Sequence, residues 1–514
     1  MKRKIFMAVN DVNINKGGIN SVMFSRTHLF DNDKYSTALV TLDDKTNYPE
    51  IEKQLKYEGR IAETSEVINI FEYYRNKFTR GEVNEEIRAQ YERNLQREEE
   101  GYHYQLDGKV ARYFDNGRYV KYKRWDDEGR LRVVDYFSEI RVRIEREIYH
   151  IDGYLLQKET YHPSNNKVTQ IHYYTKEGFC YLSRWFNHNT GKPQRIVLFS
   201  PDRQEAKVFP SNLEFHASFL EELCDLEEVK PIIICDGPGT SPKVQHIPAE
   251  KAIRIYTIHT NHLLEPYTIG SEVKPDIKHV LNNKDEDAPI VVLTNRQKID
   301  IETQFSDRKW NIHVISNVAE SELQVTKKHL NRVVTISRYN SEKRLDLLIQ
   351  AFKKTVEVVP DAELHIYGDG PQKDALKKLI ADLKLRKSVK LLPYTNDVFT
   401  KLSEGLFTVI TSIYEGQSLV ILEAMTQKVP AISFKVNYLV RELTDGTTGK
   451  VVPNGDIDAL AEAMTDWLYT PEKALEVGEH AYQVVNEKYT RERQYQEWDE
   501  LFEQEIAKQK EPQI

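Results

Sequence analysis

The turn pattern between residues 102 and 200 constrains the fold most. Asp107-Gly108, Asn116-Gly117, Glu128-Gly129, Asp152-Gly153 and Glu177-Gly178 recur there, separated by short segments such as GRYVKYKRW, LRVVDYF and KVTQIHYYT. Glycine in such pairs supplies the positive φ that a tight hairpin demands, so each pair predicts a chain reversal. Reversals this close together leave no room for the crossover helices of a parallel sheet. Twelve of the 29 tyrosines fall between 101 and 200, and aromatic side chains suit the pleated surface of antiparallel strands. The stretch reads as a β-meander.

On either side the grammar is different. KIFMAV (4–9) reads as a buried strand, Asn15-Lys16-Gly17-Gly18 as a loop, and a helix follows from about Asn20. A second strand, STALVTL, runs up to Asp43, and a charged helical pattern containing GEVNEEIRAQYERNLQREEEG comes next. After the meander come strands at 231–235, 254–260, 290–294 and 311–316, then a second series beginning at RVVTIS (332–337). Leu345, Leu348, Ile349, Phe352 and Val356 form a helical i, i+3, i+4 stripe, and strands ELHIYG, SVKLLP, LFTVITS and AISF alternate with further helices. Residues 472–508 are helical and charged, and the tail KQKEPQI is expected to fray. Strand, glycine turn and helix in alternation build doubly wound sheets. The expected fold is therefore α/β, with two doubly wound Rossmann-like domains and an inserted antiparallel β domain. The boundaries are 1–80 and 206–325 for the split N-terminal domain, 81–205 for the insertion and 326–490 for the C-terminal domain. Residues 491–514 form a C-terminal helix crossing back, and its tail.

Composition narrows the class. With 514 residues the chain can bury large cores without staples, and three cysteines without a CxxC pair fit neither a zinc ribbon nor a disulfide framework. A net charge of −8 argues against a nucleic-acid partner. The opening MKRKIFMAVNDVN has too short an apolar run for a signal peptide, and no window reaches membrane-helix length. A cytoplasmic location is expected, and peripheral contact at the inner face of the membrane is compatible with it.

The candidate chemistry sits at strand ends. Arg338 and Lys343 follow a strand and precede a helix, where open parallel sheets bind ligands. A planar guanidinium and a point-charge ammonium together suit a diphosphate, though two basic residues at this spacing are also ordinary on a surface. Gly368 and Gly370 in IYGDGP follow the next strand and allow close backbone approach, or simply a turn. Glu415 and Glu423 flank Gln417-Ser418 between an apolar strand and an apolar helix. That context puts Glu415 in a loop and Glu423 in the first helical turns. The amides of Ser418, Leu419 and Val420 can meet an anion there. Gly17-Gly18 and His259 close strands of the other half. Asp31-Asn32-Asp33 and Asp285-Glu286-Asp287 match a metal-binding DxD by letter only and read as surface acids.

Gly17-Gly18, His259, Arg338, Lys343 and Glu415-x7-Glu423, in this order with GDGP between, resemble the retaining GT-B glycosyltransferases of family four. The likeness spans nearly the whole chain outside the insertion. The insertion, NKGGINSVMFSR and CDGPGTSP resemble the wall teichoic acid glycosyltransferases that modify poly(ribitol phosphate) or poly(glycerol phosphate).

The resemblance implies a hexose or N-acetylhexosamine transferred from a UDP-sugar to a polyol-phosphate hydroxyl, with configuration retained and no metal or other cofactor. Arg338 and Lys343 would neutralise the donor diphosphate, with Gly17 and Gly18 close to it. Glu423 would hold the ribose, Glu415 the sugar near the reacting carbon, and His259 a sugar hydroxyl. Backbone near Leu392 and Tyr394 would read the base. No carboxylate nucleophile is implied, so same-face substitution, with the leaving phosphate taking the proton, is the expected course. The insertion is expected to act as a homotrimer hub. Within it Arg118, Lys121, Lys123, Arg124, Arg141 and Arg143 form either a track for a polyanion or one solvated face paired with Glu145 and Glu147.

Protein O-glycosylation of Ser-rich adhesins is the alternative, because a similar insertion occurs in such enzymes. A synthase acting on a small acceptor is a third reading. A non-catalytic pseudo-glycosyltransferase would have lost the phosphate cations and carboxylates, and here all four are present. The choice between glucose and N-acetylglucosamine is not legible.

Overall fold

The computed structural model describes residues 2–508 apart from 16, 284, 286, 320, 437 and 439–446. The expected fraying of the last residues, 509–514, lies outside the described residues. Seven parallel strands form the N-terminal sheet, in the spatial order Ile312–Val314, Ile290–Val292, Ile253–Ile258, Ile232–Cys235, Arg3–Val9, Tyr35–Thr41 and Glu66–Asn69. Their pairing is parallel throughout, as in Ile5 against Ile232 and Phe6 against Ala38. Ile232–Cys235 is buried at every position, because helices cover both faces of such a sheet. The winding reverses between Arg3–Val9 and Ile232–Cys235, so the ligand crevice of this half opens where those two strands end.

The C-terminal half repeats the device. Arg332–Ile336, Glu363–Tyr367 and Val389–Leu392 pair in one direction, and Thr408–Ile410, Ala431–Phe434 and Gly449–Val452 in the other. A bridge from Val333 to Phe407 joins the two groups. The switch point therefore lies above Ile336 and Ile410. The helix Leu345–Val358 buries Leu345, Leu348, Ile349 and Phe352, the predicted stripe, with Val356 at its margin.

The insertion is a ten-stranded antiparallel sheet from His103 to Phe209, every strand beside its sequence neighbour. All five Gly turns lie at hairpin ends. Asn116 and Gly117 have φ of 48° and 80°, the paired positive values of a hairpin turn. The last strand, Lys207–Phe209, carries the sheet past the expected boundary at 205. The inner end is not a separate body. Tyr173, Tyr181, Leu182, Ile196 and Leu198 share one core with Phe71, Tyr74, Phe78, Phe215 and Phe219, and the Phe71 and Tyr173 rings stack at 5.0 Å. Only the outer strands have a core of their own, around Tyr113, Trp125, Leu131 and Tyr149, against Tyr91 and Leu95 of the helix Glu85–Leu95.

The helix Pro471–Lys488 packs on the C-terminal domain through Ala474, Ala481 and Val485. The next helix, Arg491–Lys508, crosses to the N-terminal domain, where Trp498, Leu501 and Phe502 join Ile5, Met7, Phe30 and Tyr35. Asp499 accepts hydrogen bonds from Lys34 and from the Tyr35 hydroxyl, each at 2.7 Å. Trp498 is fully buried, edge-on to Phe30 at 6.0 Å. Trp498→Ala is expected to cost about 3–5 kcal/mol. The urea midpoint followed by circular dichroism should fall accordingly; an unchanged midpoint would mean that the crossing helix contributes little.

Candidate active site

Each switch point places loops, not regular elements, at the cleft. Arg3–Val9 leads to Gly17 and Gly18, and the eleven-residue helix Ile19–Leu29 starts directly after them without a side-chain cap. Gly18 has φ of 64°, and no atom lies within 4 Å of where a Cβ would stand at either glycine. The backbone there is open to a ligand. Lys16 lies outside the described residues. The neighbouring strand ends at Cys235, and Asp236 directly after it is fully buried. Its Oδ1 accepts from Arg26 at 2.6 Å and from His259 Nε2 at 2.7 Å. Burial pushes the Asp236 carboxyl up, but Arg26 and His259 outweigh it and hold the group below the usual carboxylate range.

In the other half, Ser341–Lys343 forms a short 3₁₀ turn held against the end of Thr408–Ile410. Arg344 donates to the carbonyls of Thr411 and Ser412, each at 2.8 Å, and the Thr411 hydroxyl returns a bond to the Lys343 carbonyl. Fixed in this way, Lys343 Nζ reaches Glu415 Oε1 at 2.7 Å. Ser412 Oγ donates to the same oxygen at 2.6 Å, and Oε2 has no partner among the described residues. Arg338 is largely exposed, with Glu342 at 3.5 Å. Glu423 sits in the helix Leu419–Met425, whose start is Ser418, Leu419 and Val420. Burial pushes its carboxyl up to about 7.

The two halves touch at the centre of this set. A Cβ on Gly416 would stand 2.3 Å from the His259 carbonyl oxygen, so the loop carrying Glu415 presses on the backbone of His259. Gln417 trades hydrogen bonds with the Asn317 main chain, at 2.6 Å from its amide and 3.3 Å to its carbonyl. Lys274 of the N-terminal domain lies 3.7 Å over the Tyr414 ring. Tyr394, beyond the strand Val389–Leu392, is half-exposed, and its phenol is pushed up by burial while Arg60 across the cleft opposes the shift.

The structure thus brings Glu415 and Lys343 beside His259 at the Gly416 contact, while Gly17 and Gly18 follow the strand Arg3–Val9, and Arg338, Glu423 and the Ser418–Val420 start follow strands of the C-terminal half. Two of the expected backbone contacts also have neighbours within the fold. The side-chain space at Gly370, with φ of 154°, is filled by the Tyr339 backbone 2.7 Å away. This glycine lets two loops pack together. The Leu392 carbonyl takes the Gly368 amide at 3.1 Å, and the Tyr339 hydroxyl stands 2.7 Å from the Ile366 carbonyl and 3.0 Å from that of Leu392.

Four of the six basic residues named on the insertion have acidic partners within it. Lys123 is fully buried and bonds Glu99 and the carbonyls of Asn94 and Gln96. Lys121 also meets Glu99, Arg118 meets Glu139 at 2.9 Å, and Arg143 meets Asp135 at 3.2 Å. Glu145 pairs instead with Lys158, and Glu147 accepts from Tyr136 and Tyr149. Arg124 and Arg141 are exposed. Asp31 bonds Thr64 and Asp285 pairs with Arg254, as surface acids should; Glu286 lies outside the described residues. Among the described residues no three His, Cys, Asp or Glu side chains cluster to hold a metal.

Sequence reasoning passed over Arg26, Asp236, Arg344 and Gln417. Asp236 carried a signal, an acid directly after an all-apolar strand, but its partners are distant in sequence.

Residues 319–484 match the family described as Glycosyl transferases group 1. The chain is 32% identical over 506 residues to a poly(ribitol-phosphate) alpha-N-acetylglucosaminyltransferase of Staphylococcus aureus, covering 97% of this chain and 99% of that one. A poly(glycerol-phosphate) alpha-glucosyltransferase of Bacillus subtilis is 25% identical over 388 residues, covering 73% of this chain and 56% of that one. The crystal structure of S. aureus TarM (G117R mutant), in complex with Fondaparinux, alpha-GlcNAc-glycerol and UDP, superposes with a TM-score of 0.87 at 31% identity, over 97% of this chain and 99% of that one. Similarity along the whole of both chains, on the same two-domain frame, makes this protein a group 1 glycosyltransferase of GT-B fold in the poly(ribitol-phosphate) alpha-N-acetylglucosaminyltransferase family.

Proposed function

We propose that the protein transfers a hexose or N-acetylhexosamine from a UDP-sugar to hydroxyls of a polyol-phosphate teichoic acid polymer, with retention. The observation that carries the reading is the meeting of Lys343–Glu415 with His259 across the Gly416 contact. Arg338 and Lys343 neutralise the diphosphate as charge develops on the leaving group. Glu415 keeps Oε2 open to the sugar while Oε1 is held by Lys343 and Ser412. A carboxylate so engaged is a weak nucleophile, which favours same-face substitution with the leaving phosphate taking the proton. The two cations supply the charge that a metal would supply elsewhere, so transfer needs no metal or other cofactor. UDP release should require polyol-phosphate polymer and persist in excess chelator. Release driven by a Ser-rich peptide instead would favour the protein acceptor, and release with no acceptor from any nucleotide sugar but water would sink the transferase reading.

Glu423 holds the ribose diol through an ionised carboxylate. Its carboxyl titrates near 7, so the ionised fraction falls as pH drops from 8 to 6. Affinity for a form-selective ligand scales with that fraction, giving a loss of about tenfold over the range. Calorimetry with an intact UDP-sugar should show it, and Glu423→Gln should bind weakly at pH 8 with a flat profile. A wild-type affinity that does not fall would remove Glu423 from the site.

The insertion joins copies into a homotrimer. The outer strand His103–Asp107 is exposed throughout and paired on one side only, an edge that invites another sheet. Tyr104→Lys with Leu106→Lys should reduce the mass seen by light scattering to that of a monomer while UDP-sugar binding is kept; an unchanged assembly would exclude this edge. The enzyme works in the cytoplasm, at the inner face of the membrane where its acceptor is made. Among the described residues no helix is long and apolar enough to cross a membrane.

A further inference from the structure

The Asp236 side chain is fully buried, yet the transfer reaction has no direct use for it. It sits at the N-terminal switch point, and one oxygen, Oδ1, receives both Arg26 at 2.6 Å and His259 Nε2 at 2.7 Å. Arg26 is 1% exposed and lies 4.6 Å over the Trp498 ring of the crossing helix. Three separate parts of the chain therefore converge to place a cation beside a buried acid. A buried ion pair is a poor source of stability, because two charges must be stripped of water. Its retention at the edge of the site calls for another explanation.

We propose that Asp236 and Arg26 are positioning residues for His259, fixing its proton on Nε2 so that Nδ1 offers a hydrogen-bond acceptor to a donor-sugar hydroxyl. The proposal rests on the transferase reading for the identity of the hydroxyl. An ionised carboxylate can only accept, so the imidazole nitrogen facing it must carry hydrogen. Without Arg26 the buried acid would take up a proton and could donate, and the imidazole would be free to reverse its tautomer. Nδ1 has no partner among the described residues. The backbone that carries the ring is pinned by Gly416, so the ring cannot shift to compensate. The sugar hydroxyl then gives its hydrogen to Nδ1, which orients the donor in the cleft. No bond is made or broken by His259 in this role.

Nitrogen-15 NMR of the histidine-labelled full-length protein, with His259 assigned from a His259→Gln sample, reads the tautomer directly. The expected spectrum has a protonated Nε2 and a bare Nδ1; a protonated Nδ1 with bare Nε2 would overturn the proposal. Arg26→Met with Asp236→Leu replaces the ion pair by apolar groups of similar size, a change that buried pairs tolerate. It should mix the His259 tautomers and lower kcat by about 10–100-fold, the usual effect of losing an orienting partner. The KM for the UDP-sugar should move by less than about threefold, since only orientation is lost. In a His259→Ala background the same pair of changes should lower kcat by less than about twofold, because residues acting through one another are not additive. An equal fall in both backgrounds would mean that the pair acts on the fold alone and would overturn the proposal. If the double variant does not fold, Arg26→Lys, which keeps a cation beside Asp236, must retain the Nε2 tautomer; loss of it would overturn the proposal too. Failure of the unmutated protein to transfer any sugar would defeat the functional reading and leave the tautomer measurement standing.

Discussion

Two open sheets meet carboxyl edge to carboxyl edge, and the close approach of Gly416 to the His259 carbonyl is where they do so. Everything chemical in the cleft depends on that contact. Glu415 precedes the glycine, Gln417 follows it, and each is placed by a different partner: Lys343 and Ser412 for the first, the Asn317 main chain for the second. A side chain at residue 416 would need space that the His259 backbone occupies, so any larger residue would separate the loops. The tie needs no favourable energy of its own. It is a steric limit that lets polar groups of one domain stand beside those of the other.

Burial divides the charged groups into two kinds. Lys343 and Glu415 keep partial exposure, 18% and 15%, so a diphosphate can take over Lys343 without stranding a charge. Arg26 and Asp236 keep almost none, and no ligand can displace them. Breaking such a pair on one side leaves an uncompensated buried charge, which is strongly unfavourable. The first pair is therefore suited to changing partners during a reaction and the second to holding a geometry. Arg344 belongs with the second kind in function, since its bonds to Thr411, Ser412 and Asn454 are spent on fixing the turn that carries Lys343.

What could be read beforehand follows the range of the forces involved. Buried strands declare themselves by uninterrupted apolar runs such as Ile232–Cys235, and hairpins by local turn chemistry such as Asn116-Gly117. Arg338, Lys343, Glu415 and Glu423 were legible because each follows a strand or opens a helix, and position along the sheet fixes their edge. Arg26 and Asp236 were not, because they stand 210 residues apart and the packing that joins them includes Trp498 near the other terminus. The partners of the insertion's basic residues were illegible for the same reason. Glu99 for Lys121 and Lys123, and Asp135 for Arg143, come from other elements that the spacing of the lysines and arginines does not reveal. Gly370 and Leu392 could be placed after and within strands, but the packing of Tyr339 against both was not legible.

The same division shows in how the chain connects the two halves. The chain passes between the domains twice, near Ser316 and again between Tyr489 and Gln494. These crossings are joined to each other by Gln494 Nε2, which donates to the Ser316 carbonyl at 2.8 Å. Beyond the first crossing the linker belongs to the C-terminal half, because Gln417 holds Asn317 and Gln427 takes the Gln324 amide at 2.9 Å. Beyond the second, Trp498, Leu501 and Phe502 bind the chain to the N-terminal half. Lys343–Glu415 and Arg26–Asp236 each lie wholly within one half. The contacts between halves are of another kind: Gly416 against the His259 backbone, Lys274 over the Tyr414 ring and the Tyr438 hydroxyl 3.2 Å from His262 Nδ1. Each half therefore holds its own charged pair without help from the other.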